Sequence, residues 1–462
     1  MILVEPAVRP PVDSDYRPAS LSFRRFQELV DRQGGVPLRL AIEREEGLVS
    51  VFETRVLDTS SPDFAESLWF AERVLKTLLW ARGGWRVVVG GPQEVGEHLR
   101  QVYSSSGERK FDAEFLAGVY EHPSFTVEAV AEDAVPEARE QSVAIGRHLE
   151  GCRIGLDLGA SDRKVAAVID GEAVYTEEVI WEPRLQDNPL YHYHHIQAAL
   201  HSAAAHMPRV DAIGVSSAGI YIDNRVRVAS LFRGIEKTVF DAQIADVFLR
   251  IGKEWGVPLT LANDGDVTAL AGAMDLGENA VLGIALGSSE AGGFVDTLGN
   301  ITGWLNEVAF VPVEWRPDAP ADDWARDPGC GSQYFSQEGV FRLCPKVGID
   351  LEKSRPKAEQ LKEFQGYLEA GDERAVQILE TIGVYMGYGL AYYDLFYKPK
   401  HVLILGRVTS GAGGDLILGK AREVLAIEFP DVAASLQLHL PESEASKRVG
   451  QAVAAASLPE LA

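Results

Sequence analysis

Three times in this chain an apolar run ends at a glycine turn: "CRIGLDLGASDRKVAAVIDGEAVY" from Cys152, "AVLGIALGSSEAGGFVDTLGNITGW" from Ala280 and "KPKHVLILGRVTSGAGG" from Lys398. A glycine at a strand end leaves backbone N–H groups pointing outward, and its missing Cβ lets a phosphate come close. One such unit is commonly no more than a turn. Three of them disposed around a single strand end, "PLTLAND", constrain the chain to an α/β architecture whose turns converge. The first hairpin offers Asp157, Gly159, Ser161 and Lys164 in the pattern D-x-G-x-S-x-x-K. The second offers Gly287, Ser288 and Ser289, followed by Gly292 and Gly293, and the third turns at Gly406.

With 462 residues the chain exceeds one core, and its length predicts about three domains or lobes. Residues 1–150 read as a separate α/β module. A proline-rich arm precedes the helical spacing of "LSFRRFQELVDRQ", and "PLRLAIEREEGLVSVFETRVL" alternates about a central turn as a hairpin. "SPDFAESLWFAERVLKTLLWARGG" reads as a capped helix with a glycine stop, "WRVVVGG" as a buried strand, and "PQEVGEHLRQVY" as a helix. "VVVGGPQEVG" fails the dinucleotide fingerprint, because Pro92 stands where the second glycine belongs. The module shows neither a helix-turn-helix nor a basic face.

From Cys152 onward, helices are expected at about 193–206 and over "DAQIADVFLRIGKEWG". Others are expected after "LAND", through "AEQLKEFQGYLEAGDERAVQILETIGVYMGYGLAYYDLFY" and in the small-residue C-terminal "SEASKRVGQAVAAASL". Strands are expected at "DAIGVSS", "PLTLAND", "AVLGIAL" and "HVLIL", with a loop at residues 315–331.

The formal net charge is −24, from 68 acidic against 44 basic side chains. That field repels nucleic acid and anionic membranes, while local N–H groups and Mg²⁺ still permit a phosphorylated ligand. Three scattered cysteines, Cys152, Cys330 and Cys344, fit a reducing cytosol without a disulfide framework. The N-terminus does not read as a signal peptide, and no apolar run approaches the length of a membrane span. A cytoplasmic protein is expected.

The order of phosphate hairpin, "AND", second phosphate hairpin and late "VLILGRV" turn resembles the sugar kinase–actin fold. Within it the chain is similar to the ROK family (repressors, open reading frames and sugar kinases) over roughly residues 151–460. The resemblance implies a two-lobed actin-like, ribonuclease-H-like sugar kinase fold with an additional N-terminal α/β domain. Residues 151–264 with the C-terminal helix 445–462 would form the first lobe, and 265–444 the second. It implies ATP and Mg²⁺ as cofactors, with Asp157 near the metal and the transferring phosphate. Gly159, Ser161 and Lys164 fall in the first phosphate loop and Gly287, Ser288 and Ser289 in the second, while Gly406 lies against the adenosine. Asn263 and Glu307 would bind a sugar or sugar-like polyol, with Asn224 and Ser230 as further pocket candidates. Asp264 would be the general base, and a homodimer is the candidate assembly.

The chemistry is consistent with that resemblance. A neutral alcohol is a poor nucleophile, so phosphoryl transfer needs positioning, a metal and a carboxylate to accept the proton. The plainer reading is that Asp264 and Asp266 simply cap the helix that follows, a role that can coexist with catalysis. The chain also departs from the family's pattern. Ala160 stands where a glycine is usual, and Glu290 puts an acid beside the second phosphate loop. Phe310 replaces a histidine, and "PGCGSQYF" keeps only Cys330 and Gly331 of a cysteine-rich zinc run. One cysteine cannot build a tetrahedral site, so no structural zinc is expected. Phe310 suggests a less polar or differently substituted polyol. His192, His194 and His195 invite a metal reading, but no carboxylate has ligand-like spacing, and contact with a sugar or with the extra domain is the better expectation. Two alternatives remain: a non-catalytic sugar-binding sensor or regulator that kept the fold, and an ATPase driving a partner. The second lacks the cysteine cluster its relatives use.

Overall fold

The structure is a computed structural model that describes residues 2–140, 145–159, 162–441 and 444–461, with backbone alone over 444–449. Ala160 and Ser161, both singled out by the sequence, lie outside the described residues.

After the arm come α1 (Ala19–Gln33), β1 (Gly35–Glu43), β2 (Val49–Leu57), α2 (Phe64–Arg82), β3 (Arg86–Gly90), α3 (Gln93–Val102), α4 (Lys110–Val119) and β4 (Thr126–Val130). Their sheet runs β2-β1-β3-β4, antiparallel except for the β3–β4 pair. The expected hairpin turns at Glu46 and Gly47, both at positive φ. The helix α4 is not foreseen from the sequence.

The first lobe holds β5 (Cys152–Leu158), β6 (Asp162–Ile169), β7 (Glu172–Ile180), α5 (Pro189–Ala204), β8 (Ala212–Ser217), β9 (Ile220–Ile222), β10 (Arg225–Val228), α6 (Lys237–Gln243), α7 (Val247–Trp255) and β11 (Leu259–Asn263). Its sheet runs β11-β8-β5-β6-β7, parallel from β11 to β5 and antiparallel beyond. The single helix expected over 241–256 is broken, because the Ala245 carbonyl leaves the helix to accept the N–H of Val226 on β10 at 2.9 Å.

The second lobe follows with α8 (Asp264–Leu276), β12 (Val281–Leu286), β13 (Glu290–Val295), α9 (Gln337–Leu343), α10 (Lys357–Glu369), α11 (Glu373–Tyr397), β14 (His401–Leu405), α12 (Gly413–Glu428), α13 (Pro430–Ser435) and β15 (Gln437–His439), and the chain closes with α14 (Glu444–Ala456). The sheet runs β13-β12-β14-β15. Among the described residues no helix is long and apolar enough to cross a membrane.

Small residues set two close approaches. A Cβ on Gly155 would lie 1.9 Å from the Ala452 carbonyl oxygen, and one on Gly214 would lie 1.6 Å from that of Ala455. The glycines of β5 and β8 therefore admit the alanine-rich α14 directly onto the sheet. A Cβ on Gly293 would lie 2.1 Å from the Gly265 carbonyl oxygen. Gly293 thus serves helix–strand packing and not phosphate approach.

The N-terminal segment merges with the second lobe. Its apolar side chains, among them Phe26, Phe70 and Leu79, share one continuous core with Ile284, Tyr385 and Leu425. The arm crosses α11, where buried Asp13 receives Lys346 at 2.6 Å and Arg342 at 3.2 Å. With the first lobe, by contrast, the turn after α4 makes an exposed ionic contact: Glu121 meets Arg225 at 3.1 Å and also pairs with Arg227.

Candidate active site

The parallel strand β11 ends at Asn263, and α8 starts on the next residue. Asn263 is the N-cap, its Oδ1 accepting the N–H of Gly265 at 2.7 Å. Its Nδ2 donates to the Gly219 carbonyl at 2.7 Å, which locks the turn. Asp264 thereby stands in the first helical turn, where the helix dipole favours an anion. Burial and the charge of Asp157 nonetheless raise its pKa to about 6, against the pull of its backbone hydrogen bonds. The helix-cap reading of the two aspartates divides between three residues. Asn263 caps, and Asp266 turns inward to accept from Asn306 Nδ2 at 2.8 Å, leaving the Asp264 carboxyl to the cavity. Burial lifts Asp266 to about 8.

Glu307 is brought to Asp264 by the N-terminal segment. The last carbonyls of a helix have no partner within it. Those of α2 accept from the loop that carries Glu307: Arg82 from Leu305 at 3.2 Å, Ala81 from Asn306 at 3.0 Å and Trp80 from Glu307 at 3.0 Å. Burial, then the charge of Asp264, raises Glu307 to about 7.

One cavity of 450 Å³ gathers Asn263, Asp264, Glu307, Ser230, Gly287, Ser288 and Ser289. Arg184 enters at its edge, its Nη2 donating to Ser230 Oγ at 3.2 Å. Pro183 and Leu231, beside these two residues, are tied together by buried His192. Its Nε2 lies 3.1 Å from the Pro183 carbonyl and 3.0 Å from that of Leu231. The "YHYHH" histidine is therefore a strut beneath the cavity, a role not foreseen. Asn224 lines an adjoining cavity of 370 Å³ instead. Its Oδ1 accepts the N–H of Leu261 at 2.7 Å, so it supports β11.

In the second loop, Gly287 donates its N–H to Ser289 at 3.0 Å, while the N–H groups of Ser288 and Ser289 have no acceptor among the described residues. That leaves an open cradle for an anion. Glu290 borders the same cavity, with its carboxyl turned to Tyr393. Its side chain is 3% exposed and accepts from Tyr393 Oη at 2.9 Å, and burial raises it to about 8. Gly406, at φ 107°, abuts this loop: a Cβ there would lie 2.4 Å from the Leu286 carbonyl oxygen. In the first hairpin, Gly159 donates its N–H to the Asp162 carbonyl at 2.9 Å, and its own carbonyl accepts from Trp181 Nε1 at 2.8 Å. Asp157 is buried, its pKa raised by burial against the opposing pull of Lys164 and Ser216. Ser216 Oγ donates to it at 3.0 Å, and Lys164 Nζ lies 3.6 Å away.

Part of the cavity wall is aromatic: Trp80 from α2, Phe115 from α4, Phe310 and Trp324. Behind it Lys76, wholly buried, meets both carboxylate oxygens of Asp112 at 3.0 Å and Asp327 Oδ2 at 3.1 Å. Arg109 bridges Glu72 at 2.5 Å and Asp327. Cys330 lies in this cluster, its Sγ 3.8 Å from Asp327 Oδ2 and its thiol pKa pushed well up by burial. The sequence reading missed Trp80, Phe115, Trp324 and Lys76. The one signal was for Phe115, in the aromatic spacing of "FDAEF", which goes with α4.

No family model matches the chain, and no curated protein matches it in sequence. Solved structures do. A ROK hexokinase from Thermus thermophilus superposes with a TM-score of 0.50 at 19% identity, covering 66% of this chain and 97% of that one. A ROK family protein from Streptococcus pneumoniae, solved with sucrose, gives 0.50 at 12% identity over 66% of this chain and 96% of its own. A ROK family transcriptional regulator, a homologue of the E. coli MLC protein, gives 0.52 at 15% identity over 84% and 95%. This chain has the ROK fold, elaborated by an N-terminal α/β segment.

Proposed function

We propose that the protein is an ATP-dependent kinase for a hydroxyl of a sugar or sugar-like polyol. The supporting observation is the single cavity that gathers Asp264, Asn263 and Glu307 beside the open loop of Gly287, Ser288 and Ser289. Asp264 accepts the proton of the attacking hydroxyl, and a pKa near 6 leaves it largely ionised at neutral pH while still basic enough for the task. Glu307 and Asn263 orient the acceptor's hydroxyls, with Ser230 at the rim. The free N–H groups of Ser288 and Ser289 suit terminal phosphates. Mg²⁺ typically takes only one or two protein carboxylates beside phosphate oxygens, and Asp157, whose carboxyl now faces Lys164 and Ser216, would be its protein anchor. When bound, the metal neutralises charge on the transferring group.

ADP release over a panel of sugars, inositols and cyclitols tests the reading, with Asp264→Asn as control. Absence of turnover with every polyol would sink it. The runner-up is a non-catalytic sugar-responsive regulator. It is favoured by Asp157, whose carboxylate already faces Lys164 and Ser216 in strand register, and by the 84% of the chain that superposes on a ROK regulator. Sugar binding without ADP release would select it.

A further inference from the structure

The cavity at Asp264 is divided by chemistry. Its hydrogen-bonding groups, Asn263, Asp264, Glu307, Ser230 and the serine loop, belong to the two lobes. Another part of the lining is an interlocked set of rings. Trp80 stands 5.3 Å from Phe115 and 4.5 Å from Phe310 between ring centroids. Trp324 stands 5.0 Å from Phe115 and 5.1 Å from Phe310. The polar atom of Trp80 is turned away, Nε1 donating to Asp112 at 2.9 Å. Trp80, Phe115 and Phe310 therefore present only carbon to the cavity. At its mouth Trp324 is 49% exposed, the only exposed Trp or Phe among the described residues.

A plain hexose or inositol carries hydroxyls around its whole rim. Those set against Trp80, Phe115 and Phe310 would give up water and find no partner in these rings, which is unfavourable. An apolar substituent in the same place would be buried against the rings. We infer that the acceptor is a hydroxylated ring bearing an apolar substituent, of the aryl glycoside class, and that Trp80 and Phe115 of the N-terminal segment form, with Phe310 and Trp324, the wall that recognises it. The inference rests on reading this cavity as the acceptor site. It also accounts for the N-terminal segment, which supplies Trp80 and Phe115 and, through the α2 carbonyls, holds Glu307.

Calorimetric titration of the full chain, with Mg²⁺ and a non-hydrolysable ATP analogue, provides the test. The probes are matched methyl and phenyl β-glycosides of glucose, galactose, mannose and N-acetylglucosamine. For at least one sugar the phenyl member binds about 10-fold or more tighter than its methyl partner. Trp324→Ala, at an exposed position, and Phe115→Leu, a mild change, each reduce that ratio to roughly 3-fold or less. Equal affinities within every pair, no binding of any phenyl glycoside, or a ratio unchanged in both variants would overturn the inference. ADP release measured on the same probes separates the two readings. Selective phenyl binding without ADP release overturns the kinase and leaves the wall's role standing. ADP release that is indifferent to the substituent overturns the wall's role and leaves the kinase.

Discussion

The backbone N–H of Glu307 donates to the carbonyl of Trp80 at 3.0 Å. A carboxylate of the candidate acceptor site is thus positioned by the last turn of a helix that lies more than 200 residues earlier in the chain. The same helix turn supplies a ring of the cavity wall, so the N-terminal segment and the site are built together.

Asp264→Asn removes the proposed proton acceptor while leaving the Asn263 cap intact. It should lower kcat by about 10²–10⁴-fold. The melting temperature should hold or rise, because a buried anion is lost. Steady-state ADP release and thermal melts check both, and full activity in this variant would refute the assignment.

Activity should carry an acid limb. With Asp264 at about 6, kcat/KM should fall roughly tenfold per pH unit below that point as the base is protonated. A profile flat down to about pH 5, well under the midpoint, would count against Asp264 as the base.

Stability should decline on the alkaline side. Glu290 and Asp266 both titrate near 8 in the fold, well above ordinary carboxylates. A raised folded pKa favours the native state fully below the unfolded value, and that contribution is lost as pH rises through the folded one. Melting temperature should therefore drop between about pH 5 and pH 9. Glu290→Gln keeps a partner for Tyr393 and should flatten the curve; an unchanged pH slope in that variant would show that Glu290 is not its source.

Lys76→Met should cost about 3–5 kcal/mol, because Asp112 and Asp327 are left buried without their shared cation. Urea unfolding measures it. A loss under about 1 kcal/mol would mean that the remaining arginines neutralise the cluster unaided.

Gly406→Ala places a methyl group 2.4 Å from the Leu286 carbonyl oxygen at a φ that side chains avoid. The second glycine loop must then shift. Nucleotide affinity should fall about 10-fold or more, and stability by about 1–3 kcal/mol. Fluorescent nucleotide titration reads the first effect, and wild-type affinity would dissociate Gly406 from the loop.

Much of the fold was legible. The β5–β6 and β12–β13 hairpins, the strand ending at Asn263 and the C-terminal helix all follow from local period and turn residues. The site was legible in part. Asn263, Asp264, Glu307, Ser230 and the Gly287–Ser289 loop converge on one cavity, whereas Asn224 faces another. A polar residue next to a short hairpin reads the same in sequence whether it faces a ligand or, like Asn224, the backbone of a neighbouring strand. Glu290 illustrates the same gap: its sequence position is beside a phosphate loop, but the alternation of β13 turns it inward to Tyr393.

What the sequence alone determined is most of the elements and their order, because strand period, glycine turns and helix caps act within windows of a few residues. What only the tertiary structure decided is the wall. Trp80, Phe115, Phe310 and Trp324 meet across some 240 residues of chain. Packing and burial select such contacts, and no local pattern records them.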